Sequence, residues 1–215
     1  KKFLRYMQGT KCFENRIEVS REEFERGILR GYSDTDWAKD QATRKSVSCG
    51  ILMIGGAVVT AYSRSQTVVA TSSGEAEFYG VVKAAGAGLG HQSLMDDLGI
   101  HLPVRVWTDS SAAMGIVQRR GLNKLRHVEL DVLWIQEQQA RRPMPLRKVL
   151  GTQNPSDMMT KHVDLSRIEQ YIGILNLEFA AGRADIAQQL HYLNGSESPK
   201  VGCQVVFKYM PYKFD

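Results

Sequence analysis

At 215 residues, with 43% hydrophobic and 24% charged content, the chain has the balance of an ordinary globular protein that buries one sizeable core. Its longest apolar run, "CGILMIGGAVVTAY", is broken by paired glycines and falls short of the about 20 residues a membrane span needs, so no membrane partner is expected. The net charge of +5 is modest, and Cys12, Cys49 and Cys203 lack the paired spacing of a zinc site or disulfide framework, which fits a reducing compartment.

The chain opens "KKFLRYMQGTK", without an initiator Met or signal peptide, and reads as a piece of a longer polypeptide. Phe3, Leu4 and Met7 recur at helical spacing up to Gly9, the end of a helix. A polar segment follows to about residue 26. "GILRGYSD" predicts a strand, and "KSVSCGILMI" and "AVVTAYSRS" predict a hairpin around Gly55-Gly56. From Ser72 to about Leu98 the period is helical, and "VRVWTD" returns to strand. A strand reached through a crossover helix is expected to run parallel to its neighbour.

"SSAAMGIVQRR" predicts a short helix ended by Gly121, "HVELDVLWIQEQQARR" a longer one ended by Pro143, and "PLRKVLG" a fifth strand. "NPSDMMTKH" predicts a last helix with Asn154 as N-cap and Pro155 at its first position. The expected class is α/β: a mixed five-stranded sheet, three antiparallel strands then two parallel, flanked by helices. Beyond about residue 165, "DLSRIEQYIGILNLEF" and "AAGRADIAQQLHYL" predict two helices, and "VGCQVVFKYMPYKFD" an added strand or a tail.

Six acidic residues stand out, and most have an ordinary structural role beside a chemical one. In "SSGEAEFYG", Ser72 as N-cap puts Glu75 at N3, the reciprocal capping box. Glu77 instead heads the stripe Val81, Ala84, Ala85, Gly88, which should face the sheet. A carboxylate there needs a compensating cation or a hydrogen-bonded setting, because an unpaired buried charge is costly; the ordinary alternative is that Glu77, in the first turn or two, tilts out to water. Asp34 and Asp36 close the first strand on one face, and periodicity does not choose between them; either would also serve as a turn residue. Asp109 ends the parallel strand, where it could cap the next helix, and Asp157 sits in a first helical turn, where the dipole favours an acid.

Jointly these acids have a further meaning. The carboxyl end of a parallel strand is where sites form in such sheets, and Asp34 and Asp109 end strands that could lie side by side. Oxygen donors without Cys or His suit Mg²⁺ or Mn²⁺. Two such ions about 3.5 to 4 Å apart clamp an in-line phosphoryl displacement, the chemistry of a nuclease. Basic residues gather in Arg119, Arg120, Lys124 and Arg126, and in Arg141, Arg142, Arg147 and Lys148. Such clusters are ordinarily a solvated face, or else a surface that tracks phosphates.

The run "GYSDTDWAKD", "RKSVSCGILMIGG", "SRSQTVVATSSGEAEFYG", "VWTDSSAAM", "LRHVELDVLWIQE" and "GTQNPSDMMTKH" resembles the ribonuclease H domain of copia-type LTR retrotransposon Pol polyproteins, over roughly residues 28 to 163. "KKFLRYMQGTK" resembles the segment that links the reverse transcriptase to that domain. The resemblance implies a ribonuclease H-like fold and divides the chain into residues 1–27, the end of the connection segment; 28–165, the ribonuclease H domain; and 166–215, a C-terminal extension of unknown role.

Carried over by position, the resemblance implies that Asp34, Glu77, Asp109 and Asp157 are catalytic and hold two Mg²⁺ or Mn²⁺ ions. Asp36, Ser110 and Gln153 are further candidates to support the site, and the basic cluster of Arg119, Arg120, Lys124 and Arg126 is a candidate to grip the substrate backbone. Gln153 stands where cellular ribonucleases H carry a histidine, so no histidine general acid is assigned. The implied reaction is endonucleolytic hydrolysis of the RNA strand of an RNA-DNA hybrid during reverse transcription, without a small-molecule cofactor. The partner is the reverse transcriptase domain of the same polyprotein, and the place a cytoplasmic virus-like particle. A strand transferase of related fold is disfavoured because Glu77 precedes Asp109. A decayed fragment that binds nucleic acid without cutting is the other alternative: all four acids argue against it, while the glycines of "AAGAGLG" cost a helix about 1 kcal/mol each.

Overall fold

A computed structural model of the protein describes residues 13–15, 27–119, 129–141 and 144–179. The expectations for residues 1–9, Gly121, Pro143, "AAGRADIAQQLHYL" and the last segment lie outside these residues. β1 (Phe13–Asn15) stands apart from the main sheet. β2 (Leu29–Asp36) and β3 (Val47–Ile54) pair antiparallel, and β3 turns into β4 (Ala57–Ser65) at Gly55-Gly56. Gly55 has a φ of 59°, a value common in two-residue hairpin loops and free of penalty for glycine. A register shift at Leu52/Met53 leaves Val59 unpaired in β4, a bulge that bends this edge strand.

The crossover helix α1 (Ser73–Asp97) is closed at both ends, at its start by the Ser72 cap that the sequence predicts. Ser72 Oγ accepts the Glu75 N–H at 3.2 Å. At the far end Gly99, with φ 77°, lets Gly99 N and Ile100 N donate to the Asp96 and Met95 carbonyls, a Schellman stop. β5 (Val104–Thr108) then lies parallel to β2, with Leu29 opposite Val104 and Ser33 opposite Thr108. α2 (Ser111–Gln118) and α3 (Glu129–Arg141) lead to β6 (Leu146–Lys148), parallel to β5. The sheet order is β4-β3-β2-β5-β6, three antiparallel strands and two parallel ones as expected.

Three details differ from expectation. The "PLRKVLG" strand is paired only over β6, because the chain leaves the sheet into a 3₁₀ turn at Gly151–Gln153. The next helix, α4 (Asp157–Thr160), is a single turn that starts after Ser156. Asn154 is not its N-cap: buried, its side chain donates to Ser33 O at 2.9 Å and accepts from Ser156 N at 3.3 Å, tying the loop to β2. α5 (Leu165–Ile174) stops short of "LNLEF" because Asn176 takes a φ of 52°, a left-handed conformation that Asn tolerates better than most residues. The remainder forms β7 (Leu177–Phe179), antiparallel to β1.

The sheet is covered on both faces. One face packs Leu29, Leu52, Val104 and Val106 against Phe78, Val81, Ala84 and Ala85 of α1, with Ile135 and Met144 beyond. The other buries Ile51 and Met53 of β3 with Leu175, beside Met158, Met159 and Leu177. The period-2 alternation along β3 sends Leu52 one way and its neighbours the other. Two glycines of α1 meet the sheet at close quarters: a Cβ at Gly80 would lie 2.4 Å from Thr35 Oγ1, and one at Gly88 2.6 Å from Val104 Cγ1. Their cost to the helix is offset by this approach. Among the described residues no helix is long and apolar enough to cross a membrane.

Candidate active site

The last β2–β5 pair is Ser33 and Thr108, so Asp34 and Asp109 leave adjacent strand ends together. Glu77, in the second turn of α1, reaches them from one side of the sheet, and α4 closes from the other. Asp34, Glu77 and Asp109 each offer a carboxylate oxygen, and these oxygens all lie within 4.8 Å of one another. The stripe that continues from Glu77 is buried as its spacing predicts, at Val81, Ala84, Ala85 and Gly88.

Each carboxylate is held differently. Asp34 is fully buried; Thr160 Oγ1 donates to its Oδ2 and Lys161 Nζ to its Oδ1 at 3.1 Å. β2 continues past its last pair with β5, and there the Thr35 backbone N–H donates to Glu77. Glu77 Oε2 is buried without a hydrogen-bond partner among the described residues. Asp109 is not a helix cap, because Ser110 Oγ accepts the Ala113 N–H at 3.1 Å and caps α2. A Cβ at Gly151 would lie 3.1 Å from Asp109 Oδ2, so the 3₁₀ turn presses close to that carboxylate. Asp157, 4% exposed, stands outside the three-oxygen cluster: Lys161 Nζ donates to its Oδ1 at 2.8 Å and Tyr171 Oη to its Oδ2 at 3.5 Å.

Burial pushes Glu77 up to about 8, with the charges of Asp34 and Asp109 adding to the effect and Lys161 opposing it. Asp109 is raised by burial and then by Asp34. Asp157 is also raised, burial outweighing its bond to Lys161. For Lys161, burial works against the charge, but the bond to Asp157 and the charge of Asp34 overcome it and hold the ammonium protonated above its usual range. The cluster thus gathers more negative charge than its surroundings stabilise. Hard oxygen donors with one orphaned carboxylate oxygen fit Mg²⁺ or Mn²⁺, with Asp34, Glu77 and Asp109 as the residues able to hold it.

The other expected positions fall in several places. Glu75 is buried and caps the helix start, though the reciprocal half of the box is displaced by one residue: its carboxylate accepts from Thr71 N at 3.0 Å and from Thr71 Oγ1. Asp36 pairs with Lys39 at 2.9 Å, away from the cluster. Gln153 is exposed in the 3₁₀ turn. Arg119 is partly buried, and its Nε has no hydrogen-bond partner among the described residues. Arg120, Lys124 and Arg126 lie outside the described residues. Sequence reasoning missed Thr160, Lys161 and Tyr171. The Asp157–Lys161 spacing of four, which brings acid and base together on a helix, was the available signal for the second.

No protein-family model matches the chain. It is 27% identical over 172 residues to the retrovirus-related Pol polyprotein from transposon TNT 1-94 of Nicotiana tabacum, covering 77% of this chain and 12% of that protein. It is 26% identical over 160 residues to the corresponding polyprotein from transposon RE2 of Arabidopsis thaliana, covering 72% of this chain and 11% of that protein. The chain therefore spans only about a tenth of the length of these curated relatives. Among solved structures it is similar to LC11-RNase H1, isolated from compost by a metagenomic approach. That likeness has 14% identity and a TM-score of 0.47, and covers 61% of this chain and 91% of that one. The chain is thus similar in sequence to retrovirus-related Pol polyproteins from transposons, and its own sheet is mixed, with the order β4-β3-β2-β5-β6.

Proposed function

We propose that this chain is a metal-dependent ribonuclease H, which hydrolyses the RNA strand of an RNA-DNA hybrid as the partner of a reverse transcriptase within the same polyprotein. The observation that carries the proposal is the meeting of Asp34, Glu77 and Asp109, drawn from two adjacent strand ends and the crossover helix, within 4.8 Å. Asp34, Glu77 and Asp109 would hold a divalent metal there, which when bound would supply the Lewis acidity that activates water and stabilises a departing oxygen. The chain's own residues do the positioning. Thr160 and Lys161 fix the Asp34 carboxylate, the Thr35 N–H orients Glu77, and Asn154 ties the α4 loop to β2.

Discrimination in favour of RNA rests on 2′-hydroxyl contacts, which distinguish it from DNA. Arg147 and Lys148, exposed on β6, are placed to neutralise backbone phosphates. The test is cleavage of an end-labelled RNA-DNA hybrid by the 215-residue chain with Mg²⁺ or Mn²⁺, beside a DNA duplex of the same sequence. Cleavage confined to the RNA strand, abolished by chelation and reduced at least about 100-fold in Asp109→Asn, is expected; losing one such group typically costs about that much. Undiminished cleavage by Asp109→Asn would remove Asp109 from the site.

A further inference from the structure

Lys161 does something the acidic cluster alone does not require. Its ammonium bridges two carboxylates that lie far apart in the sequence, Asp34 Oδ1 at 3.1 Å and Asp157 Oδ1 at 2.8 Å. The side chains of Asp34 and Asp157 are 0% and 5% exposed, while that of Lys161 is 43% exposed. The two acids are therefore closed in and their cation faces solvent on a flexible stem. Asp34 retains lone pairs for the Glu77 and Asp109 side, since a carboxylate offers about four acceptor sites. Asp157 has one oxygen on Lys161 and the other towards Tyr171 Oη. A dication and an ammonium on the same oxygens repel strongly at such distances.

We infer that Lys161 is an internal counter-cation that occupies the Asp34–Asp157 pair, leaving the free protein with a single divalent-ion site at Asp34, Glu77 and Asp109. A second ion reaches Asp157 only when Lys161 leaves it. This rests on the metal-site reading above and goes beyond it, because it separates the acids into one open site and one that the chain itself fills. Lys161 is a positioning residue: it keeps Asp157 and Asp34 in place without a metal.

The test is a Mn²⁺ titration of the 215-residue chain without nucleic acid, reading free ion by electron paramagnetic resonance. Wild type and Lys161→Arg are expected to bind one ion tightly. Lys161→Gln is expected to bind a second about 10-fold to 100-fold more tightly than wild type, the range of a hydrogen bond to a charged group. Lys161→Met serves if the Gln variant does not fold. Adding Asp157→Asn to Lys161→Gln is expected to return the count to one, which places the second ion. Equal counts and affinities in wild type and Lys161→Gln, or a second ion that survives Asp157→Asn, would overturn the inference while leaving the first site intact. Absence of any bound ion in all variants would overturn it together with the metal-site reading.

Discussion

Glu75 and Glu77 are two residues apart on α1 and serve opposite ends. Glu75 is buried and satisfied by Thr71 and the helix start, so Glu75→Gln is expected to lower stability by about 1 kcal/mol, the usual cost of a weakened cap. Glu77 is held against its own charge. In the metal-free protein it keeps its proton up to about pH 8, against 4.5 for the ordinary carboxyl. Between those values the native state binds more protons at Glu77 than the unfolded chain, so the stability this group contributes is fully present below about pH 4.5 and is lost as pH rises through about 8. The metal-free Glu77→Gln variant should therefore show a flatter pH profile and be more stable than wild type at pH 8, by on the order of 1–3 kcal/mol. Thermal melts from pH 5 to 8.5 check this. A wild-type melting temperature that rises over that range would contradict the placement of Glu77. At this scale the sequence was readable for Glu77, whose stripe is helical, and unreadable for Asp34 against Asp36. Period-2 spacing puts those two on one face, and only the end of β5 at Thr108 decides between them.

The element that carries the site is α1, and its glycines set how near it comes. Gly80 lies one turn after Glu77, and a Cβ there would meet Thr35 Oγ1 at 2.4 Å and Ser33 Oγ at 3.0 Å. Gly80→Ala gains about 1 kcal/mol of helix propensity but meets an overpacking cost of about 1–3 kcal/mol. A net loss of up to about 2 kcal/mol in urea denaturation, with slower cleavage because Glu77 is pushed from the strand ends, is the expected outcome. Unchanged stability would show that the helix slides without cost. From sequence alone these glycines look like weaknesses of the helix, because the side chains they make room for lie in β2 and β5. α4 was misjudged for a related reason. Asn154 followed by Pro155 has the pattern of a helix start, yet its amide is used for a strand 121 residues away in the chain, a partner no local rule can supply.

For the molecule as a whole, the hairpin, the crossover and the parallel return of β5 were legible because turn chemistry, period and connection length agree. The second face of the sheet was not. Ile51 and Met53 find their cover in Leu175, over a hundred residues further along, in a stretch whose own pattern indicates only an amphipathic helix. Leu175 is 3% exposed, so Leu175→Ala is expected to cost about 2–5 kcal/mol, measured by urea denaturation; a loss below about 0.5 kcal/mol would mean that the segment after α5 is not part of the folded unit. This cover also reaches the site, since Tyr171 of α5 lies buried against Gly151 O and Asp157. We propose that these layers hold the Glu77 carboxyl, buried against its own charge, for a metal ion. This is tested most directly by Glu77→Gln assayed twice, for cleavage of an RNA-DNA hybrid with Mg²⁺ and for metal-free stability at pH 8. Cleavage lost while stability rises is the predicted result; cleavage retained, or lost together with stability, would contradict the account.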